Sequence, residues 1–375
     1  MEATITQENF AKALNDVAKA ISSNPSIPVL ANVLIDITKD NVKLSTTDLE
    51  LGISTILDAD IKKEGKVTVD AKTLAEFVNS LSPGKLTLEL KEKILEVKNK
   101  LNSAEFNIIN AEEFPPLPQP KGRPSFKVKT HPFAKAINQV VFSAASDDSR
   151  PVLTGILFEA TSSKLSMVGV DGFRLSKKVI GIKRSGSKEF SHIVPARALQ
   201  ELSRISHEEG EDDDITEVYL LGEKNQMIFK VEGSELSTRL IEGEFPDYKQ
   251  IIPKEIKYGF SVEKEAFAKT VKIVSIFARA AVGNKSVFEL IPQKNTLKLS
   301  AQVADVGENE SSIEVHDVKG DGIKTAYNTK FLSDMVNAIE GEEITFETNG
   351  VTAPGVFKDK EDKDFLHIIM PMRLD

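Results

Sequence analysis

Cysteine is absent from the 375-residue sequence, and its absence excludes several kinds of chemistry. A chain without thiols forms no disulfide, uses no cysteine nucleophile and holds no Cys-ligated zinc or iron–sulfur centre. No apolar run reaches the roughly 20 residues that a membrane span needs, so we expect no membrane contact. The first residues, MEATITQENF, lack the basic and apolar segments of a secretory signal. These absences favour a cytoplasmic protein.

Basic residues are in deficit as well. Lys and Arg number 48 against 57 Asp and Glu, which gives a formal net charge of −9. Phosphate binding depends on Lys and Arg, so this sum argues against a nucleic-acid partner. The sum does not say where the cations lie, however, and a basic patch can exist on an acidic protein. Their placement therefore decides the question.

Motifs for catalysis and for metal binding are also missing. SPGKLT at Ser82 lacks the first glycine of a P-loop, and the Gly-x-Gly at Gly320 has no third glycine. The five histidines are far apart, with no ligand or triad spacing. The acidic run HEEGEDDD, from His207 to Asp214, lacks the alternation of a calcium loop and is interpreted as a solvated loop. We predict a protein without enzymatic activity, cofactor or required metal.

What the sequence does contain is an internal repeat. Phe-Ala-Lys occurs at Phe10, Phe133 and Phe267, spaced by about a third of the chain. PVL recurs at Pro28 and Pro151, and in both copies an aspartate follows at the same distance. Helix-like segments, VDAKTLAEFVNSL, VPARALQELSRIS and AYNTKFLSDMVNAI, come next, and a Phe-Pro pair closes the first two copies. Four markers in one order predict three copies of a single domain, with boundaries at 1–120, 126–250 and 251–375.

Each copy has the pattern of an α+β domain. Its first helix is expected to begin near Thr6, Thr130 or Ser261, which are favourable N-cap residues. Its second helix is indicated by apolar residues at i, i+3, i+4 and i+7, as in Leu74, Phe77, Val78 and Leu81. Short alternating runs such as VLIDI and ILFEA predict strands. Two helices cannot cover both faces of so many strands, so we expect antiparallel sheets with helices on one side.

Cations recur at fixed places in the two helices of each copy. Lys12, Lys135 and Lys269 share one position in the first helix. A second position, near the start of the second helix, is shared by Lys72, Arg197 and Lys330. A cation there opposes the helix dipole by about 0.3–1 kcal/mol. Solubility is the simpler explanation, but the threefold recurrence favours a phosphate-binding surface, helped by the helix N-termini.

Four motifs in this order resemble the bacterial beta sliding clamp family. They are STTDLE at Ser45, VDGFRL at Val170, GEFPDY at Gly243 and MPMRL at Met370, and the resemblance covers the whole chain. It implies three clamp domains, each with two helices packed on antiparallel sheets, in a half-ring that closes as a head-to-tail homodimer around duplex DNA. Such a ring tethers the replicative polymerase and confers processivity. The recurring cations would line its hole.

The resemblance also implies three sets of site residues. DNA contact is expected at Lys12, Asn24, Lys72, Lys135, Arg150, Arg197 and Lys330. A groove for short linear motifs of the clamp loader, of DNA polymerases and of repair proteins is expected at Leu153, Gly155, Val170, Gly172, Arg174, Leu175, Pro246, Ile251, Ile368, Met370, Pro371 and Met372. Leu153 and Ile368 also fit ordinary core positions. The dimer contact is expected at Phe106, Ile108 and Ile273.

Two other classes of protein were weighed against a clamp. A repeat adhesion or assembly protein would explain the triplication but neither the cations nor the terminal motif, and such proteins usually carry a secretion signal. An enzyme using the acidic run would require an activity that a chelator abolishes.

Overall fold

The computed structural model describes residues 1–21, 25, 27–184, 189–207 and 214–374, except for the side chain of residue 207. Asn24 and nearly all of the acidic run therefore lie outside the described residues. The chain forms two compact units. Unit 1 comprises Met1–Ala134, Ile182–Ser187 and Arg197–Leu240, and unit 2 comprises Lys135–Gly181, Lys188–Ala196 and Ile241–Asp375. The predicted domain boundaries stay a prediction.

The described residues contain six α-helices, two in each third of the chain. They are α1 (Gln7–Val17), α2 (Ala71–Ser80), α3 (Thr130–Val141), α4 (Ala196–His207), α5 (Lys264–Ala278) and α6 (Thr329–Ala338).

The strands divide among the three copies as well. Copy one has β1 (Glu2–Thr6), β2 (Asn32–Ile37), β3 (Val42–Thr47), β4 (Leu51–Leu57), β5 (Asp60–Lys63), β6 (Gly65–Asp70), β7 (Lys85–Lys91), β8 (Ile94–Lys98) and β9 (Ser103–Ile109). Copy two has β10 (Phe126–Lys129), β11 (Gly155–Ala160), β12 (Lys164–Val170), β13 (Arg174–Gly181), β14 (Lys183–Arg184), β15 (Phe190–Pro195), β16 (Ile215–Leu221), β17 (Gln226–Val231) and β18 (Ser234–Arg239). Copy three has β19 (Tyr258–Glu263), β20 (Lys285–Ile291), β21 (Thr296–Val303), β22 (Gly307–Glu314), β23 (His316–Lys319), β24 (Ile323–Asn328), β25 (Glu343–Thr348), β26 (Gly355–Asp359) and β27 (Phe365–Ile369).

All strand pairings in the described ladders are antiparallel, as the sequence predicts. Unit 1 holds one sheet of fourteen strands, in the order β14-β10-β16-β17-β18-β4-β3-β2-β6-β9-β8-β7-β1-β5. Unit 2 holds a nine-stranded sheet, β15-β11-β12-β13-β27-β26-β25-β19-β23, and a four-stranded sheet, β22-β21-β20-β24. Each copy supplies a meander of three consecutive strands: β2-β3-β4, β11-β12-β13 and β20-β21-β22.

The repeated Phe-Ala-Lys is explained by its place in the first helix of each copy. Phe10, Phe133 and Phe267 are each the fourth residue of their helix and are fully buried. The lysine follows two residues later, about 200° around the helix axis, and therefore on the other face. The tripeptide thus pairs a core anchor with an outward cation.

The second helices also bury the predicted face. Leu74 and Val78 are buried in α2, and Phe77 packs edge-on against Phe106, with 5.8 Å between the ring centroids. In α4 the two serines at apolar positions are buried with hydrogen bonds, Ser203 Oγ to the Ala134 carbonyl at 3.4 Å and Ser206 Oγ to the Leu202 carbonyl at 2.7 Å. The weaker middle copy is therefore still a packed helix.

The predicted start of the first helix is confirmed in copies one and two, where α1 begins directly after Thr6 and α3 begins at Thr130, and it is wrong in copy three. Ser261 lies inside β19, and α5 begins only at Lys264 with Glu263 as its N-cap residue. Thr6 does occupy the N-cap position of α1, but its side chain makes no capping hydrogen bond. Ser261 does not cap α5 because it is held in the ladder between β19 and β25, and β19 runs directly into the helix.

Candidate functional site: a surface groove and rows of exposed cations

A cavity of about 430 Å³ opens on the nine-stranded sheet of unit 2. Its floor is formed by β12, β13 and β27, and its walls are formed by the segment after β18 and by the loop between β25 and β26. The lining residues are Val170, Gly172, Arg174, Leu175, Gln250, Ile251, Pro253, Asn349, Ala353, Pro354, Ile368 and Met370.

The floor is apolar because the strand register places three aliphatic side chains in one row. Val170 pairs with Leu175, and Leu175 pairs with Ile368 across the next ladder. Side chains of directly paired residues point to the same face of a sheet. All three are buried, while Met370 at the rim keeps 38% of its surface exposed. An apolar floor with a flexible thioether at the rim suits an apolar peptide side chain.

Arg174 is held rigidly at the edge of this floor. Its Nε donates to Asp171 Oδ2 at 2.9 Å and its Nη1 to Asp334 Oδ2 at 2.5 Å. The guanidinium also lies over the rings of Phe331 and Phe142, at 4.4 and 5.4 Å from their centroids. With two carboxylates beside it, Arg174 orders the turn before β13 and contributes little net charge to the cavity.

Seven of the twelve predicted groove residues line the cavity: Val170, Gly172, Arg174, Leu175, Ile251, Ile368 and Met370. Five do not: Leu153, Gly155, Pro246, Pro371 and Met372. Leu153 is buried in one cluster with the floor residues and supports them from inside. Met372 pairs with Ala326, and its Cε lies where a side chain on Gly283 would begin.

The wall formed by Asn349, Ala353 and Pro354 was missed by the sequence reasoning. Asn-Gly at Asn349 and Pro-Gly at Pro354 are turn signals between two strands, but no pattern in this copy says which surface the loop covers. Asn349 Oδ1 is buried and makes no hydrogen bond. An unpaired buried acceptor is costly, so a ligand N–H placed there would gain affinity.

The recurring cations occupy equivalent positions in the helices. Lys12, Lys135 and Lys269 are each the sixth residue of their helix, while Lys72, Arg197 and Lys330 are each the second. All are exposed except Lys135, which is partly buried.

Two of these cations are engaged by carboxylates. Arg197 Nη1 bonds Asp48 Oδ2 at 2.6 Å, and its Nη2 donates to the Lys19 carbonyl at 3.2 Å. Lys135 Nζ lies 3.2 Å from Glu340 Oε2. For Lys72, Lys269 and Lys330 the described part of the chain provides no ion pair. These three lysines are the cations most available to a phosphate.

In two of the three second helices, a side chain already accepts hydrogen bonds from the backbone amides at the N-terminus. The Asp70 carboxylate accepts from the Thr73 amide at 2.8 Å in α2, and Asn328 Oδ1 accepts from the Lys330 and Phe331 amides in α6. Such caps satisfy the free N–H groups and favour the dipole. A phosphate at either of these two ends would therefore meet the lysine side chain and not free backbone amides.

Arg150, another predicted DNA contact, lies beside the cavity. It is exposed, and its Nη2 would be 2.9 Å from a Cβ added at Gly172, whose φ is +93°. The positive φ favours glycine at this position, whereas the guanidinium is the far end of a flexible side chain and can move aside. Arg150 brings a positive charge to the rim of the groove.

The predicted dimer residues differ in exposure. Phe106 is buried and Ile108 is partly buried in β9, whereas Ile273 on α5 is 36% exposed. The structure adds Ile276, one turn further along α5, at 62% exposed. Ile273 and Ile276 are three residues apart and therefore share a face of the helix. Together they form an apolar patch that is unusual for a solvent-facing helix.

Directly under the groove floor lies the fully buried His367, next to Ile368. Its Nδ1 is 2.7 Å from Ser176 Oγ, its ring packs on Phe142 at 5.4 Å, and its Nε2 has no hydrogen-bond partner. Burial, and secondarily the charge of Arg174, lowers the pKa of His367 to about 3.

His367 is expected to make the fold sensitive to acid. The unfolded chain binds a proton there below about pH 6.5, whereas the folded chain does so only near pH 3. Stability is therefore complete above pH 6.5 and falls by about 1.4 kcal/mol per pH unit below it. Urea unfolding at pH 7.5 and 5.5 should show this loss, and His367→Phe should reduce it. An equal loss in the variant would assign the acid sensitivity to other groups.

No cluster of three or more metal-ligating side chains occurs within the described ranges. In the same part of the chain, none of the helices is both long and apolar enough to span a membrane.

Comparison with protein families accounts for nearly the whole chain. Residues 1–118 match the N-terminal domain of the DNA polymerase III beta subunit, 127–247 its central domain and 249–373 its C-terminal domain. The chain belongs to the DNA polymerase III beta subunit family. This confirms the resemblance, the α+β clamp-domain fold and the assignment to a non-catalytic subunit.

Individual relatives agree with the family match over their full length. The beta sliding clamp of Synechocystis sp. is 27% identical and that of Bacillus subtilis 24% identical, each with complete coverage of both chains. The crystal structure of the Bacillus subtilis sliding clamp superposes with a TM-score of 0.93 at 22% identity, again over both complete chains. The DNA polymerase III beta subunit of Thermotoga maritima gives 0.91 at 25% identity over both complete chains.

Proposed function

We propose that two copies of this chain close around duplex DNA as a sliding clamp in the cytoplasm, and that the clamp tethers the replicative polymerase. Membership of the beta subunit family supports the clamp function. The closed ring is inferred from a strand pairing that occurs twice within the chain and that the third set of equivalent strands does not make among the described residues.

The repeated pairing joins the third strand of one copy's meander to the last strand of the next copy. In unit 1, β4 pairs with β18 from Leu51↔Thr238 to Thr55↔Ser234. In unit 2, β13 pairs with β27 from Arg174↔Ile369 to Lys178↔Phe365. Both ladders are antiparallel and five residue pairs long.

Among the described residues, the corresponding edges are open on β22 in copy three and along most of β9 in copy one. β22, the third strand of its meander, has β21 as its sole partner among the described residues. β9, the last strand of copy one, pairs with β8 from Ser103 to Asn107 and with β6 only at Ile108 and Ile109. Exposed edges of this kind are templates for pairing with another chain. We infer that β22 of one copy pairs with β9 of a second copy, which closes a head-to-tail dimer with two-fold symmetry.

The chemistry of these two edges predicts an apolar dimer contact. β22 carries Glu308, Glu310 and Glu314, while β9 carries Glu105. Charges of one sign on both strands give no net attraction. The binding energy must then come from backbone hydrogen bonds and from apolar side chains, including Ile108 on one copy and the exposed isoleucines of α5 on the other.

A ring around DNA needs only weak phosphate contacts. Because such a protein is retained topologically, its cations can touch the backbone without regard to sequence and still permit sliding. The exposed lysines of the helices suit this role, and the overall negative charge discourages binding elsewhere.

The function can be tested by loading the protein onto plasmid with the clamp loader of the same organism. We expect it to stay on circular DNA during gel filtration and to leave after linearisation. Lys72→Glu with Lys330→Glu should weaken DNA binding and lower the salt slope of log Kd by about 3–4 per ring, since four phosphate contacts are reversed. Arg197→Glu is avoided because it would place two carboxylates together at Asp48.

Lys39→Glu with Lys294→Glu is the matched control, since it makes the same change of charge at two exposed lysines in turns. Equal weakening in both pairs would mean that net charge matters and that the helix positions do not. Release from circular DNA as fast as from linear DNA would contradict the clamp itself.

The groove in unit 2 is proposed as the docking site for partners. Its apolar floor, rigid Arg174 and unpaired Asn349 oxygen suit the short linear motifs of the clamp loader, of DNA polymerases and of repair proteins. A sliding clamp from Pseudomonas aeruginosa, 24% identical over both complete chains with a TM-score of 0.91, has been solved bound to griselimycin. If that compound binds this chain and the binding is lost in Met370→Glu, the groove is its site and competition with it reports occupation of the groove.

A further inference from the structure

A second cavity, of about 510 Å³, lies on the same face of the same sheet as the groove. Its chemistry is different, because lysines and glutamates replace most of the aliphatic side chains. Lys164, Lys177 and Lys249 supply positive charge, Glu159 and Glu189 supply negative charge, and the ring of Tyr248 forms one side. We name it the lysine cavity.

The strand registers place the lysine cavity in line with the groove. Val170, beside Leu175, belongs to the groove floor, and Val168, beside Lys177, forms the next row. The row after that contains Ser166 between Glu159 and Val179. Four residues separate Val170 from Ser166, which corresponds to about 13 Å at ~3.3 Å per residue. An extended segment bound in the groove therefore reaches the lysine cavity with about four further residues.

One short stretch of chain borders both cavities. Tyr248 and Lys249 line the lysine cavity, and Gln250 and Ile251 line the groove. Tyr248 is buried in one cluster with residues of the groove floor. Burial and the bond from its hydroxyl to Glu159, at 2.6 Å, raise the pKa of Tyr248 well above its usual value. The Tyr248 side chain, which lies between the two cavities, is therefore held in place and uncharged.

The charges available to a ligand in the lysine cavity are positive. The carboxylate of Glu159 accepts from the Tyr248 hydroxyl and lies 3.5 Å from Lys249 Nζ, so these groups are already satisfied. Lys164 and Lys177 have no ion pair with any described residue. Lys177 Nζ is 5.7 Å from the centre of the Tyr248 ring, and the buried Ser166 Oγ lies beside the Tyr248 hydroxyl, whose pKa it lowers against the larger effect of burial. Glu189 is the remaining acidic group of the lining.

We propose that the lysine cavity binds an acidic side chain of the same partner segment whose apolar motif fills the groove. The proposal rests on the groove being the docking site. Lys164 and Lys177 would pair with the carboxylate. Acidic residues about four positions from the apolar motif would then distinguish strong partners from weak ones.

Fluorescence anisotropy with three peptides tests this. The core probe is the motif peptide of the replicative polymerase extended by four alanines at each end, and the other two carry four glutamates at one end or the other. One glutamate peptide should bind about 3- to 10-fold more tightly than the core probe, which two partly exposed ion pairs can supply. The gain should shrink at high salt and disappear in Lys164→Gln with Lys177→Gln.

Lys294→Gln, an exposed lysine outside both cavities, is the control and should keep the full gain. The proposal is overturned if neither glutamate peptide gains affinity, or if the gain survives in the double variant. Core-probe binding that is equal in wild type and in the double variant shows that the groove is intact. A core probe that does not bind to wild type at all refutes the docking groove, and this proposal with it.

Discussion

Ile273→Asp combined with Ile276→Asp should convert the dimeric ring into single chains. Both isoleucines are exposed in the chain on its own, on the same face of α5, so the substitutions leave the core of unit 2 intact. Burying an isoleucine contributes about 1.5–3 kcal/mol, and a buried carboxylate adds a desolvation penalty. We expect the dimer dissociation constant to rise at least 100-fold. Mass photometry over a dilution series measures it.

The same variant should lose retention on circular DNA, because an open chain cannot enclose it. Val282→Asp, at a strongly exposed valine just after α5, is the control and should dimerise normally. An unchanged dimer in the double variant would place the contact elsewhere and leave the open edge of β22 unexplained.

Met370→Glu should abolish binding of partner motifs while leaving the ring and its DNA retention intact. Met370 is exposed at the groove rim, so folding tolerates the change. A carboxylate there faces the apolar row of Val170, Leu175 and Ile368, and a partner's side chain would have to desolvate it. We expect affinity for the polymerase motif peptide to fall by more than 30-fold, and primer extension to become distributive.

Leu374→Glu is the matched control, because Leu374 is equally exposed but does not line the cavity. Met372→Ala tests whether the docking site is limited to the cavity or includes the neighbouring surface. Met372 packs near Gly283, so we expect a small effect from its truncation. A loss from Met372→Ala as large as that from Met370→Glu would extend the docking site beyond the cavity.

The sequence predicted the helical parts of this fold well because each helix is marked three times. One Phe-Ala-Lys could be chance, but Phe10, Phe133 and Phe267 at the same helical position could not. The N-caps were predicted less well, since Ser261 is a favourable cap by type but is held in β19 by its ladder with β25. At Ser261 the pairing of β19 with β25 therefore outweighs the residue's preference for an N-cap position.

The candidate sites could likewise be predicted only in part from the sequence. Leu175 and Ile368 of the groove floor could be named from the sequence because the resemblance to the family implied them, and the strand registers then place them side by side. The wall at Asn349 to Pro354 could not, because a loop's composition does not say which surface it covers. The Arg197–Asp48 ion pair could not be predicted from the sequence either, since the two residues are 149 positions apart. Only the folded chain shows that this cation is already engaged.

The strand pairing that joins neighbouring copies has a consequence for how a ring would open. Two of its occurrences lie within one chain, where the linkers Phe114 to Ser125 and Phe245 to Glu255 tether the strands. A tethered pair experiences a millimolar effective concentration of its partner and recloses at once if it separates. The pairing between two copies has no tether, so its closure depends on how much protein is present. The junction between two copies, which has no covalent link across it, is therefore the one expected to open for DNA, even if all three ladders are equally strong.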